Sequence, residues 1–381
     1  MTVNSNVQGI LKLITPLHCA TPGEHGINDR GYVVAGKTGR PCTATMHQRI
    51  LADGLRDNIP YFPANDLRGR LRRKAAALVM ESLAAMGEKV PVDLYAGLCT
   101  GAANARPEND LTIEEAVRAS RHVYMGLFGG GTRLLRSAFS VQDAVPIVRS
   151  TVRAGMVPEG FGDYAEKQLP ASSRNDEDGQ SQLDGWKLTD VRHILRVDDA
   201  MRVLRPKELE AFVENPGETI TAYQQSVLQN RKERKEGGEE GSTTTKTDVG
   251  NMVSVQSIIP GAELYFRLDM SDNLTPAQTG LMLTALVALI NEQALGGWVR
   301  TGFGRFEAEH FALTLEGEQM PVLQRGPNGD YQLVEALLPY VEAMRSELSA
   351  LTVPSLLEFF TARKEAKLTK KAKGETNVEA A

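Results

Sequence analysis

The residues best suited to chemistry in this chain are arginines set among glycines, in three separate segments. The first is IPYFPANDLRGRLRRKAA, Ile59 to Ala76. Asn65 stands at the expected start of a helix, where unpaired backbone N–H groups favour a phosphate. Arg68, Arg70, Arg72, Arg73 and Lys74 follow, with only Asp66 among them as a local acid. Arg68 and Arg72, four apart, share a face, while Leu67 and Leu71 face a core. Most charge runs are solvated helix faces. The shortage of acids turns this one toward phosphate, whose geometry suits a guanidinium. The second segment is GGWVRTGFGRF, in which Gly296, Gly297, Gly302 and Gly304 surround Trp298, Arg300 and Arg305. A plain helix-to-strand turn needs fewer glycines, and glycine lets a backbone approach a phosphate closely. It is not a dinucleotide fingerprint, which follows a strand and opens a helix; here the order is reversed. The third is GLFGGGTRLLR, where Gly129, Gly130 and Gly131 precede Arg133 and Arg136. A helix stop and hinge accounts for it as well as backbone contact with a ligand does.

These segments need elements to hold them. Val7 to His18 reads as a first strand, and residues 19–60 as glycine-rich loops with short strands such as Gly31 to Val34. A helix follows Pro63, carrying Leu67, Leu71, Ala75, Leu78, Val79, Leu83 and Met86 at helical spacing and stopping at Gly87. A second opens at Thr112, where Glu115 completes a capping box, and runs to about Gly126. Thr132 to Val148 reads as a strand or hairpin. Residues 151–250 form a polar insertion, with helices expected near 189–204 and 206–213 and a third ending in the basic run Arg231 to Lys235. That run, interrupted by Glu233, reads as a solvated helix end. Val253 to Leu268 supplies one or two strands. Thr275, Pro276 and Gln278 then cap a helix to Ala294 that is apolar on most of its surface and therefore buried. Arg305 to Leu313 is a strand, 331–363 a helical addition, and the charged tail from Lys364 frays. The order of strands and helices is that of a split βαβ, ferredoxin-like α+β core with long inserts.

Composition sets limits on function. At 381 residues the chain allows two to three domains at roughly 150 residues each. It is 41% apolar and 24% charged, with a net charge of −5, so any nucleic-acid surface must be local. Cys19, Cys42 and Cys99 form no CxxC, and the six histidines do not cluster at ligand spacing, so no metal, cofactor or disulfide framework is expected. No apolar run approaches the ~20 residues that span a bilayer. The N-terminus lacks a signal-peptide pattern, so a cytoplasmic location is expected.

Taken together, the motifs resemble the RAMP superfamily of CRISPR-associated proteins, and within it the Cas-seven-like backbone subunits. The resemblance lies in the Leu-Arg-Gly-Arg-Leu-Arg run after a proline-led helix start, in the Leu-Phe-Gly-Gly of residues 127–130, and in the Gly-Gly-x-x-x-x-Gly-x-Gly-Arg loop of residues 296–305. The matches cover about 60 residues directly, in the family's order. The sequence style around Asn65 and Gly296, together with the mid-chain insertion, is most similar to the type IV systems.

The resemblance implies an RRM-like palm (1–87, 129–150 and 251–315), a helical finger insertion (88–128), a thumb and mobile insertion (151–250), and a C-terminal extension (316–381). It further implies a non-enzymatic protein that binds a guide RNA. Asn65, Arg68, Arg70, Arg72, Arg73, Lys74, Gly129, Gly130, Arg133, Arg136, Gly296, Gly297, Arg300, Gly302, Gly304 and Arg305 are the expected contacts. Copies would stack head to tail along the guide, beside other effector subunits and away from any membrane. A target strand, DNA more readily than RNA, would pair with the guide. The competing expectation comes from type III relatives, which cut target RNA with an aspartate after the first strand. Asp29 or Asp53 would occupy that place, although an aspartate beside glycine is ordinarily a turn residue.

Overall fold

The computed structural model describes residues 5–29, 32–37, 39–102, 111–167, 188–195, 214, 215, 218, 252–315 and 317–361. In chain order the first strands are β1 (Ser5–Leu13), β2 (His25–Ile27), β3 (Val33–Ala35), β4 (Arg40–Thr43), β5 (His47–Ala52) and β6 (Leu55–Pro60). Helices α1 (Ala64–Ala85), α2 (Val92–Thr100), α3 (Ile113–Arg121) and α4 (Met125–Phe128) follow. Next are β7 (Phe139–Val141), β8 (Val145–Pro146), α5 (Arg149–Arg153), α6 (Gly162–Lys167), β9 (Thr189–Leu195), β10 (Met252–Ile258) and β11 (Glu263–Met270). The last are α7 (Pro276–Glu292), β12 (Phe306–Leu315), β13 (Glu318–Pro321), β14 (Leu323–Arg325), β15 (Tyr331–Leu333), α8 (Leu338–Ser349) and α9 (Val353–Phe360). No described helix is long and apolar enough to cross a membrane.

The chain divides into two compact units, one of residues 1–23, 44–190 and 256–381, the other of 24–43 and 191–255. In the first, the sheet order is β13-β12-β1-β11-β7, with neighbouring strands antiparallel. Taking β1, α1, β7, β11, α7 and β12 as the six core elements, this is the ferredoxin-like βαββαβ arrangement. The α+β palm expected from element order is therefore present.

Alternation explains why the sheet has two covered faces. Val7, Leu11 and Leu13 of β1 join Leu264, Phe266 and Leu268 of β11 in the main core, under Leu67, Leu71 and Val79 of α1 and most of α7. Ile10 and Tyr265 point the other way and form a second cluster with Ile59, Val145, Ile147, Val157 and Ala165. Helix α7 is apolar all round because it packs against α1 and α8 as well as the sheet. Its capping box is present: Thr275 Oγ1 accepts from the Gln278 amide at 3.2 Å, and Gln278 Oε1 accepts from the Thr275 amide at 3.0 Å.

The second unit holds a sheet in which β2 pairs antiparallel with β3 and β4, and β4 pairs parallel with β10. Residues 24–43 thus group with 191–255 rather than with residues 1–23 and 44–190. The helix expected at 189–204 is corrected as well: Thr189–Leu195 is strand β9. The expected helix at 206–213, the basic run Arg231 to Lys235, most of the thumb segment and the tail lie outside the described residues.

Candidate nucleic-acid interface

The loop between α7 and β12 is fastened by backbone to the turn that follows β1. Gly297 N–H donates to His18 O at 2.8 Å, Gly304 N–H to Pro16 O at 2.7 Å, and Leu295 N–H to Gly304 O at 2.9 Å. Two of its four glycines answer to these close approaches. Gly296 and Gly304 have φ of 73° and 79°, and a Cβ on either would run into a carbonyl, of His18 and Leu295 respectively. Gly302 (φ 88°) lies in open space at the outer corner, after a short 3-10 turn over Val299–Thr301. Arg300 and Arg305 are exposed, and among the described residues neither side chain has a hydrogen bond or ion pair. The Arg305 backbone is fixed by Thr15, whose Oγ1 accepts its amide proton at 2.8 Å. The loop therefore presents two exposed cations on a backbone anchored to the turn after β1.

The arginines of α1 divide into three kinds. Arg72 is buried, 7% exposed, where its guanidinium donates to the carbonyls of Phe128 and Gly129 and lies over the Phe128 ring. It ties α4 to α1 and is not available to phosphate, which corrects its expected role. Arg70 donates to Ala294 O (3.0 Å), Gly296 O (3.3 Å) and Asp66 (2.9 Å), and Lys74 pairs with Glu292 at 3.2 Å. Both are spent within the protein. Arg68 and Arg73 are exposed; Arg68 donates to Ser137 Oγ at 3.0 Å, and desolvation and Arg72 lower its pKa. Asn65 is also exposed, one residue inside the helix. Pro63 is the N-cap, and the Ala64 amide is already taken by the Asp143 carboxylate at 2.7 Å. The helix N-terminus therefore meets the chain's own acid.

The triple glycine is internal. A Cβ on Gly129, Gly130 or Gly131 would strike the carbonyl of Leu135, Gly101 or Phe359, and their amides are bonded to Met125, Leu135 and Gly101. Arg133 is half-buried, with its side chain 9% exposed and paired with Glu115 at 3.7 Å. Gly129, Gly130 and Arg133 are thus packing residues. Only Arg136 of this segment is exposed without a side-chain partner among the described residues.

Pairing registers place the two strand ends that lie next to the loop and to the triple-glycine segment. Phe306, next to Arg305, is level with Leu13, whereas Phe139, three residues after Arg136, is level through Met270 with Ser5. Eight steps of β1 separate those levels, about 26 Å at ~3.3 Å per residue. Arg136 precedes the Phe139 end, where Arg68 reaches Ser137 and the Phe139 ring, while Arg70, two residues along α1, reaches the loop that carries Arg300 and Arg305.

The two candidate nuclease aspartates stand in different settings. Asp53 pairs with Arg153 at 3.4 Å and Asp29 is exposed on a turn. Among the described residues, no group of three or more His, Cys, Asp or Glu could hold a metal ion. Sequence reasoning passed over His18 and Asp143. His18 is fully buried, bonded through Nδ1 to Gln256 O at 2.7 Å, and its pKa is lowered by desolvation. A histidine in the turn directly after an apolar strand was the available signal.

Fold and surface together define a ferredoxin-like palm with basic positions on its loops. The chain belongs to the RAMP superfamily, whose match runs over residues 10–307. Among solved structures it is similar to a chain of a type IV-B CRISPR complex, with 15% identity and a TM-score of 0.44, covering 82% of this chain and 92% of that one. No curated protein matches.

Proposed function

We propose that this chain is a non-enzymatic, guide-RNA-binding backbone subunit of a CRISPR effector complex of the type IV kind, working in the cytoplasm. Copies would line up head to tail along the guide beside other effector subunits, and a target strand, DNA rather than RNA, would pair with it. Membership of the RAMP superfamily supports the class, and the sequence around Gly296 supports the subtype. The observation that carries the RNA reading is the loop anchored on Pro16 and His18 with Arg300 and Arg305 exposed above it. Arg68, Arg73 and Arg136 remain available as further phosphate contacts, while both faces of the sheet near Ile10 and Tyr265 are filled by protein rather than open to bases.

The test is co-expression with a guide and partner subunits. The complex should retain RNA of defined length at a fixed number of nucleotides per subunit. The double variant Arg300→Ala/Arg305→Ala should release it from guides of any sequence, because phosphate contacts carry no sequence information. RNA-free protein from the unaltered complex would sink the reading. Cutting of complementary RNA in magnesium, abolished by Asp29→Ala, would replace it with the nuclease reading.

A further inference from the structure

We propose that Arg70 is a positioning residue that latches the Gly296–Arg305 loop to α1, and that it makes no contact with phosphate. The inference rests on the RNA reading of that loop, and it sharpens it by separating the residue that shapes the loop from those that grip the ligand.

The geometry is that of a fork. Nη1 donates to Ala294 O and Nη2 to Gly296 O, while Nε donates to Asp66 on the preceding turn of α1. Every nitrogen of the guanidinium therefore faces an oxygen of the protein. The side chain is only 15% exposed, and Glu292 lies 3.9 Å away. Two carboxylates thus surround its charge and leave little for a polyanion. The two carbonyls it holds bracket Leu295, whose own amide donates to Gly304 O and whose carbonyl leaves no room for a Cβ on Gly304. Gly296 in turn passes so close to His18 O that no side chain fits. Loosening the fork would free the strand entry on which Arg305 stands. A lysine has one nitrogen and cannot reproduce three planar donors.

The test combines amide exchange of the RNA-free protein with RNA affinity over a salt series, in Arg70→Lys, Arg70→Gln and Arg305→Ala. Lys74→Met is the control that removes a neighbouring cation without touching the loop carbonyls. In Arg70→Lys, exchange at Gly297 and Gly304 should rise while the β1 and β11 amides stay protected. Affinity should fall about tenfold from lost preorganisation, and the slope of log K against log salt should hold. Arg305→Ala should instead leave exchange unchanged and reduce the slope by ~0.7, one single-strand phosphate. Unchanged exchange at Gly297 and Gly304 in both Arg70 variants overturns the latch. A slope reduced in Arg70→Lys as in Arg305→Ala also overturns it, by making Arg70 a phosphate ligand. If loop exchange rises but Arg305→Ala leaves RNA binding untouched, the latch stands and the RNA reading of the loop falls.

Discussion

Two segments of this protein look alike as sequence and differ as structure, although each leaves at least one arginine exposed. GLFGGGTRLLR and GGWVRTGFGRF both pack glycines beside two arginines. In the first, the glycines bring backbone against backbone, and Arg133 is sealed against Glu115 and Thr132. In the second, Gly296 and Gly304 do the same beneath the loop, but Arg300 and Arg305 are left outside. The lesson is that glycine marks close approach in both. What differs is whether the approaching partner is the protein's own carbonyl everywhere or only on one side. Arginine follows the same rule: Arg72 and Arg70 serve carbonyls, and Arg305 has none to serve among the described residues.

The largest expected effect breaks the first segment. Gly130→Ala places a Cβ on Gly101 O at a φ of 100°, and Gly131→Ala places one on Phe359 O. Neither neighbour is a flexible side-chain tip, so each variant should lose more than about 3 kcal/mol in a urea titration. Losses below about 1 kcal/mol would mean that this segment yields and that its glycines are free for another role.

The next effect is on the same side of the comparison and depends on pH. His122 Nδ1 accepts the amides of Tyr124 and Met125, both at 3.1 Å, at the start of the helix that leads into the triple glycine. Nε2 therefore carries the hydrogen, and it is buried without a partner among the described residues. Desolvation lowers the pKa from 6.5 to about 4. Between those values the unfolded chain binds the proton and the folded chain does not. Stability is therefore full above about pH 6.5 and is lost as pH falls toward 4, by up to about 3 kcal/mol. His122→Asn keeps an acceptor for the amides but does not titrate, so its stability should be flatter across this window. An identical pH slope in the variant would assign the acid sensitivity to other groups.

Much of the frame was legible because local chemistry and tertiary role agreed. Thr112 with Glu115 and Thr275 with Gln278 form the capping boxes their spacing implied, and the apolar run of α7 is buried. Helix α2 was not legible. VDLYAGLCT is short and broken by Gly97, which is there because the Phe360 ring packs where a Cβ would be. The triple glycine stayed ambiguous for a similar reason: its partners Gly101 and Phe359 come from other parts of the chain. Arg72 did carry a signal. It shares a stripe with Ala76, Val79 and Leu83, all buried, so its position in the helix already placed it inside. Its charge drew the reading outward, and no sequence pattern announces that carbonyls at Phe128 and Gly129 await it.

The smallest effect tests the second segment at its free corner. Gly302 shares the positive φ of Gly130, 88° against 100°, but nothing lies within 4 Å of the position its Cβ would take. Gly302→Ala therefore keeps the backbone strain and removes the collision, and it should cost at most about 1–2 kcal/mol. Measured beside Gly130→Ala, the difference between the two losses isolates the backbone contact from the conformational penalty. If Gly302→Ala unfolds the protein as Gly130→Ala should, the corner is not free. The contrast drawn between a sealed glycine segment and an open one would then have no physical basis.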